Sequence, residues 1–327
     1  MDFISAIQSN LLSPCFLFFA LGVFAAVSKS DLKFPETLYT TLTIYLLTAI
    51  GFKGGVAIHE AGIGAVWLPA LAAMALGGLI PLWTYPALRG LGKFSKADAG
   101  SIAAHYGSVS AVTFIAATNF LKSVQAPYES FAAAFLAVME SPAIIVGVML
   151  GKGMTQGGKL SLANSGMRHA LKDAILGKGV LLLIGSMLVG SLCGKRGMET
   201  MEGFFVAPFQ GVLALFLLEM GMVTGRRLGD LRKVGLFLLL FGVTAPLLHG
   251  FAGVLLGSWV GLSAGGAMLL GVLAASASYI AAPAAVRLSI PEANPTYSLT
   301  AALVITFPFN ITFGIPLFFE FASRLQP

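Results

Sequence analysis

The apolar residues of this chain arrive in blocks of about 17–25, the length a helix needs to cross a hydrocarbon core, and polar punctuation separates the blocks. In lipid, only helices and closed barrels satisfy every backbone group internally. Ten blocks fall near 12–28, 37–58, 65–89, 97–121, 128–151, 173–194, 204–225, 233–257, 264–289 and 297–323. Between them stand signals such as Lys29-Ser30-Asp31, His59-Glu60, Gly90-Leu91-Gly92-Lys93, Gln125-Ala126-Pro127 and Pro291-Glu292-Ala293-Asn294-Pro295. Charged residues make up only 10% of the chain, against about a quarter in a soluble domain, and the mean hydropathy is +0.88. The expected class is an all-α membrane protein of about ten transmembrane helices.

The N-terminal Met1-Asp2-Phe3 has no basic region before the first apolar block, so Leu12 to Val27 reads as a short membrane helix rather than a signal peptide. Cys15 and Cys193 both lie in apolar blocks and read as packing residues, not as a disulfide or metal pair. The net charge of +6 is explained by topology rather than by nucleic acid. With the N-terminus outside, fifteen of the 20 Lys and Arg residues fall in inward loops, among them Lys29, Lys93, Lys152, Arg168, Arg227 and Arg287. Lys53, Lys122, Lys195, Arg196 and Arg324 remain outside. By the positive-inside bias, both termini are expected on the extracytoplasmic side of the cell (inner) membrane.

One longer polar connection, 152–172, divides the chain into units 1–151 and 173–327 and is expected on the cytoplasmic side. The two units match in order. Gly51 and Gly55 correspond to Gly221 and Gly225 at an offset of 170; Ser108 and Ser110 correspond to Ser276 and Ser278 at 168; Pro142 corresponds to Pro308 at 166. Together these correspondences predict two repeats of five helices. An odd number of spans per repeat makes the repeats inverted, the plan of many secondary transporters.

Gly107-Ser108-Val109-Ser110 and Ala275-Ser276-Ala277-Ser278 interrupt the fourth and ninth blocks at matching points. Small residues also allow close helix packing, but a symmetric pair points to two broken helices crossing at one site. Half-helix N-termini present free N–H groups that suit a small anion. Serine hydroxyls add donors, and carbonyls at the facing half-helix ends suit Na⁺. The candidate substrate-binding residues are therefore Gly107, Ser108, Val109, Ser110, Ser276, Ala277 and Ser278. Glu140, inside the fifth block, is an intramembrane acid and by default functional. With Thr306 and Asn310 around Pro308, and with Ser110 and Ser276, it forms the candidate sodium set. Asn310 has a second reading, as a cap for the gap that Pro308 leaves. Glu219 either pairs with Lys53 or lies near an interface.

A different class, an intramembrane hydrolase, would use Ser108 as nucleophile with His105 or His249 as base. The position matching His105 in the second repeat is Leu273, so the duplicated serines come without a duplicated base, and no enzyme activity is expected.

Gly107-Ser108-Val109-Ser110-Ala111-Val112-Thr113, Glu140-Ser141-Pro142-Ala143, Leu218-Glu219-Met220-Gly221-Met222 and Ile305-Thr306-Phe307-Pro308-Phe309-Asn310 resemble the sodium-dependent bicarbonate transporter family over essentially the whole chain. The resemblance implies a bile-acid/sodium-symporter-like fold, a homotrimer, and elevator movement of a core against a gate formed by the first, second, sixth and seventh helices. It implies bicarbonate bound by Ser108, Ser110, Ser276 and Ser278 and imported with Na⁺. It also implies control by a PII-like regulatory protein at the cytoplasmic face, no cofactor beyond the coupling ion, and an aspartate where this chain has Glu140. Another small carboxylate is the alternative cargo.

Overall fold

The computed structural model describes residues 7–8, 11–152 and 178–326. The expected 152–172 connection therefore lies outside the described residues, apart from Lys152. Among the described residues the structure is helical, without strands. We number the principal helices α1 (Pro14–Val27), α2 (Glu36–Ala61), α3 (Ile63–Gly90), α4 (Lys96–Gly107), α5 (Ala111–Ser123), α6 (Ala133–Lys152), α7 (Lys178–Phe205), α8 (Phe209–Arg227), α9 (Leu231–Trp259), α10 (Ala264–Ala275), α11 (Ala281–Ser289) and α12 (Pro295–Leu325).

Among the described residues, six helical stretches are long and apolar enough to cross a membrane: α2, α3, Ser130–Lys152, α7, Phe209–Trp259 and α12. The difference from ten has local causes. α1 has only 14 residues. Blocks 97–121 and 264–289 are each interrupted, at Ser108–Ser110 and at Ser276–Ile280. Phe209–Trp259 joins two blocks through a 3₁₀ turn at Leu228–Asp230. α7 runs beyond the expected end of its block, to Phe205, after a kink at Gly194, whose φ is 57°. Hydropathy fell there because Lys195, Arg196, Glu199 and Glu202 follow, whereas the hydrogen-bonded turns continue.

Helix pairing is selective. α1 packs on α8 and α2 on α7, while α6 packs on α3 and α4, and α9 packs on α10 and α12. Glycine makes the first two pairs possible. A Cβ on Gly22 would stand 2.0 Å from the Leu218 carbonyl oxygen, and one on Gly221 would stand 2.0 Å from that of Phe19. Likewise a Cβ on Gly55 would stand 1.9 Å from the Met187 carbonyl oxygen, and one on Gly190 would stand 2.1 Å from that of Phe52. Backbone thus rests on backbone, the small-residue mode of helix association in lipid. Gly51, Gly55, Gly221 and Gly225, which align the two units in sequence, all sit at these contacts. Large apolar side chains such as Leu21, Phe24, Trp67, Leu79, Leu188, Leu192 and Leu240 point outward, as suits helices solvated by lipid.

α12 is not a plain α-helix. It passes through π-helical turns at Thr300–Thr306 and Asn310–Gly314, with Phe307–Phe309 between them. Pro308 lacks an N–H and its ring crowds the preceding turn, and such wider turns are frequent at functional sites. Pro142, its counterpart, sits in ordinary α-helix.

Candidate functional site

The site begins with two helix ends. Ser95 caps the start of α4 by accepting the Asp98 N–H, and Ser263 caps α10 by accepting the Gly266 N–H. Both helices have 12 residues and stop at a serine in extended conformation: Ser108 at φ −79°, ψ 171°, and Ser276 at φ −80°, ψ 165°. Two residues further on, Ser110 Oγ accepts the Thr113 N–H at 3.2 Å and so caps α5. Ser278 Oγ accepts the Ala282 N–H at 3.2 Å at the start of α11.

The two interruptions touch. The Ser110 N–H donates to Ser276 Oγ at 2.9 Å, and the Ser278 N–H donates to the His105 carbonyl at 2.8 Å. Ser110 Oγ donates to the Tyr279 hydroxyl at 3.3 Å, and the Tyr279 ring lies edge-on to Phe307, 5.6 Å between centroids. Ser108, Ser110, Ser276 and Ser278 are all buried. Their hydroxyls differ in use. Ser276 Oγ donates to the Leu273 carbonyl at 2.7 Å, whereas Ser108 Oγ has no hydrogen-bond partner. An unmet buried hydroxyl costs about 1–3 kcal/mol, so it marks a place where a ligand would be stabilised. Gly107 packs tightly behind the break: a Cβ there would come within 2.4 Å of Pro81 of α3.

A crevice of about 30 Å³ opens beside the junction, lined by Ser110, Ser278, Tyr279, Glu140, Leu47 and Gly179, among others. Val109 also lines it, and Ala277 is buried within the second break. Glu140 Oε1 is buried without a hydrogen bond. Glu140 and Ser110 are therefore brought together, with Ser276 one hydrogen bond away. Thr306 and Asn310 sit in other contacts. Thr306 Oγ1 donates to the Gly242 carbonyl and meets the Tyr106 hydroxyl, both at 2.7 Å. Asn310 Nδ2 donates to the Ala275 carbonyl at 2.8 Å, capping the end of α10 rather than the gap at Pro308. Its Oδ1 remains buried and unpartnered.

The pairing of Lys53 with Glu219 is not formed. Lys53 Nζ instead lies 4.2 Å from the centre of the Phe209 ring. Glu219 stands ten residues further along α8, about 15 Å at 1.5 Å per residue. Its Oε2 is buried without a hydrogen bond. His105 Nδ1 lies 2.7 Å from the Ser101 carbonyl, and the His249 ring lies edge-on to Trp83 at 4.7 Å. Neither histidine is hydrogen-bonded to Ser108 Oγ. Sequence reasoning missed Tyr279, although a hydroxyl-tipped aromatic directly after Ser278 was a usable signal.

Paired breaks in buried helices, glycine-paired neighbours and an outward apolar surface define a multi-pass membrane transporter. The model of the Na⁺-dependent bicarbonate transporter superfamily matches residues 14–323, and the chain belongs to that superfamily. No individual curated protein matches it.

Proposed function

We propose that this protein is a sodium-coupled symporter that imports bicarbonate by elevator-type alternating access. The observation that carries this reading is the junction of the two breaks. The unpartnered Ser108 hydroxyl and the N-termini of α5 and α11 suit a small anion, and the unpartnered Glu140 Oε1 beside them suits a cation. Na⁺ bound near the anion lowers the cost of burying either charge. In this reading Gly107, Ser108, Val109, Ser110, Ser276, Ala277 and Ser278 surround the anion. Glu140, Ser110 and Ser276, with the Asn310 and Thr306 oxygens behind the second break, serve the cation.

The pairing of α1 with α8 and of α2 with α7 supports the inverted repeat, because exchanging the two five-helix units converts one pair into the other. It also supports a gate of α1, α2, α7 and α8 around a core that holds both breaks. On this plan the helices cross ten times, the protein sits in the cell membrane with both termini outside, and three copies assemble. A PII-like partner would act at the cytoplasmic face.

The test is uptake of labelled bicarbonate into vesicles containing the purified protein. Replacing Na⁺ with choline should abolish uptake, and Glu140→Gln should raise the Na⁺ concentration needed for half-maximal rate about tenfold, as loss of a charged ligand would. Uptake that persists without Na⁺ would refute the coupling. Competition by small carboxylates at equal concentration would move the cargo to that class. Labelling of Ser108 by a fluorophosphonate would revive the hydrolase.

A further inference from the structure

A cavity of about 320 Å³ lies among α1, α5, α8 and α12, lined in part by Cys15, Ala116, Asn119, Gln210 and Leu217. Ile311, next to Asn310, also lines it. Leu217 is the repeat counterpart of Leu47 at the offset of 170, and Leu47 lines the crevice at the junction. The wide cavity and the narrow crevice are thus related through this one pair of leucines.

One side chain ties the walls of the wide cavity together. Asn119 of α5 donates from Nδ2 to Gln210 Oε1 of α8 at 3.2 Å and to Cys15 Sγ of α1 at 3.3 Å. Gln210 Nε2 donates back to Asn119 Oδ1 at 2.6 Å. Both ends of the Asn119 amide are therefore engaged by gate helices, although Asn119 itself belongs to the core. A reciprocal amide pair is uncharged and directional, and it can part and re-form without leaving a charge unpaired in a low-dielectric setting.

We propose that Asn119 and Gln210 form a clasp that holds the core against the gate across the wide cavity and opens each time the core moves. The proposal rests on the elevator reading of the fold. Its test places cysteines at both positions, Asn119→Cys and Gln210→Cys, in a chain carrying Cys15→Ser and Cys193→Ser, and bridges them with a short bifunctional methanethiosulfonate. Bridging should lower uptake at least tenfold, and dithiothreitol should restore it, while each single-cysteine chain treated alike keeps its rate. A bridged protein that transports normally overturns the clasp.

A second measurement does not depend on transport. Gln210→Met keeps the side-chain length but removes the hydrogen bonds, and it should speed modification of Cys15 by a membrane-impermeant methanethiosulfonate about threefold, the weight of a modest hydrogen bond. An unchanged rate overturns the clasp. Wild-type vesicles that take up no anion would defeat the transport reading, and the Cys15 rate would still decide the clasp.

Discussion

Ser108 and Ser276 share one backbone conformation, yet their hydroxyls do different work. Ser276 Oγ joins the two breaks by accepting the Ser110 N–H, so Ser276→Ala strands a buried donor and should cost about 1–3 kcal/mol of stability, measurable as a lowered unfolding temperature. Ser108 Oγ has no protein partner, so Ser108→Ala should leave stability nearly unchanged and weaken anion affinity roughly tenfold, the worth of a hydrogen bond to a charged group. Thermal unfolding and concentration-dependent uptake, measured on both variants, separate the two roles; equal effects on both would show that the serines are interchangeable. Neither difference was legible in the sequence. The Ser-x-Ser spacing revealed both breaks, but which hydroxyl meets the chain depends on a partner 166 residues away. The Lys53–Glu219 pairing, one of two alternatives for Glu219, is not formed for a related reason: hydropathy sets approximate depth, not the direction in which a side chain leaves its helix.

Among the elements, α12 is the one whose form most shapes the candidate cation ligands. Its two π-helical stretches contain Thr306 and Asn310 and aim them at carbonyls of α9 and α10. Pro308→Ala restores an N–H and lets the turns relax toward ordinary α-helix. Uptake should then fall about tenfold or more, since a misplacement of about 1 Å is costly at a preorganised site. The circular dichroism of the purified protein should stay unchanged. Full activity in Pro308→Ala would mean that the π turns are incidental. The proline was visible in the sequence, but its consequence was not, because Pro142 at the corresponding position leaves α6 an α-helix. The close pairs α1–α8 and α2–α7 were legible in part. The glycines at 51, 55, 221 and 225 matched between the two halves of the sequence, and only packing revealed that each faces a neighbouring carbonyl or backbone.

For the molecule as a whole, the charge count predicts sidedness. Single cysteines at Lys122 and Lys195 should react with a membrane-impermeant maleimide added outside intact cells, while cysteines at Lys93 and Arg227 should react only after permeabilisation. The reverse pattern would invert the topology. The sequence by itself determined the membrane class, the family and the positions of both breaks. Each of these is written in local properties: block length, composition, and small or hydroxylated residues at fixed points. The tertiary structure alone decided that the breaks meet, that Ser108 is left unpaired, that Asn310 caps α10, and that Asn119 grips α8 and α1. Those outcomes depend on contacts between distant residues, such as Ser110 and Ser276, 166 positions apart, formed only when helices with similar apolar surfaces choose their neighbours by close fit.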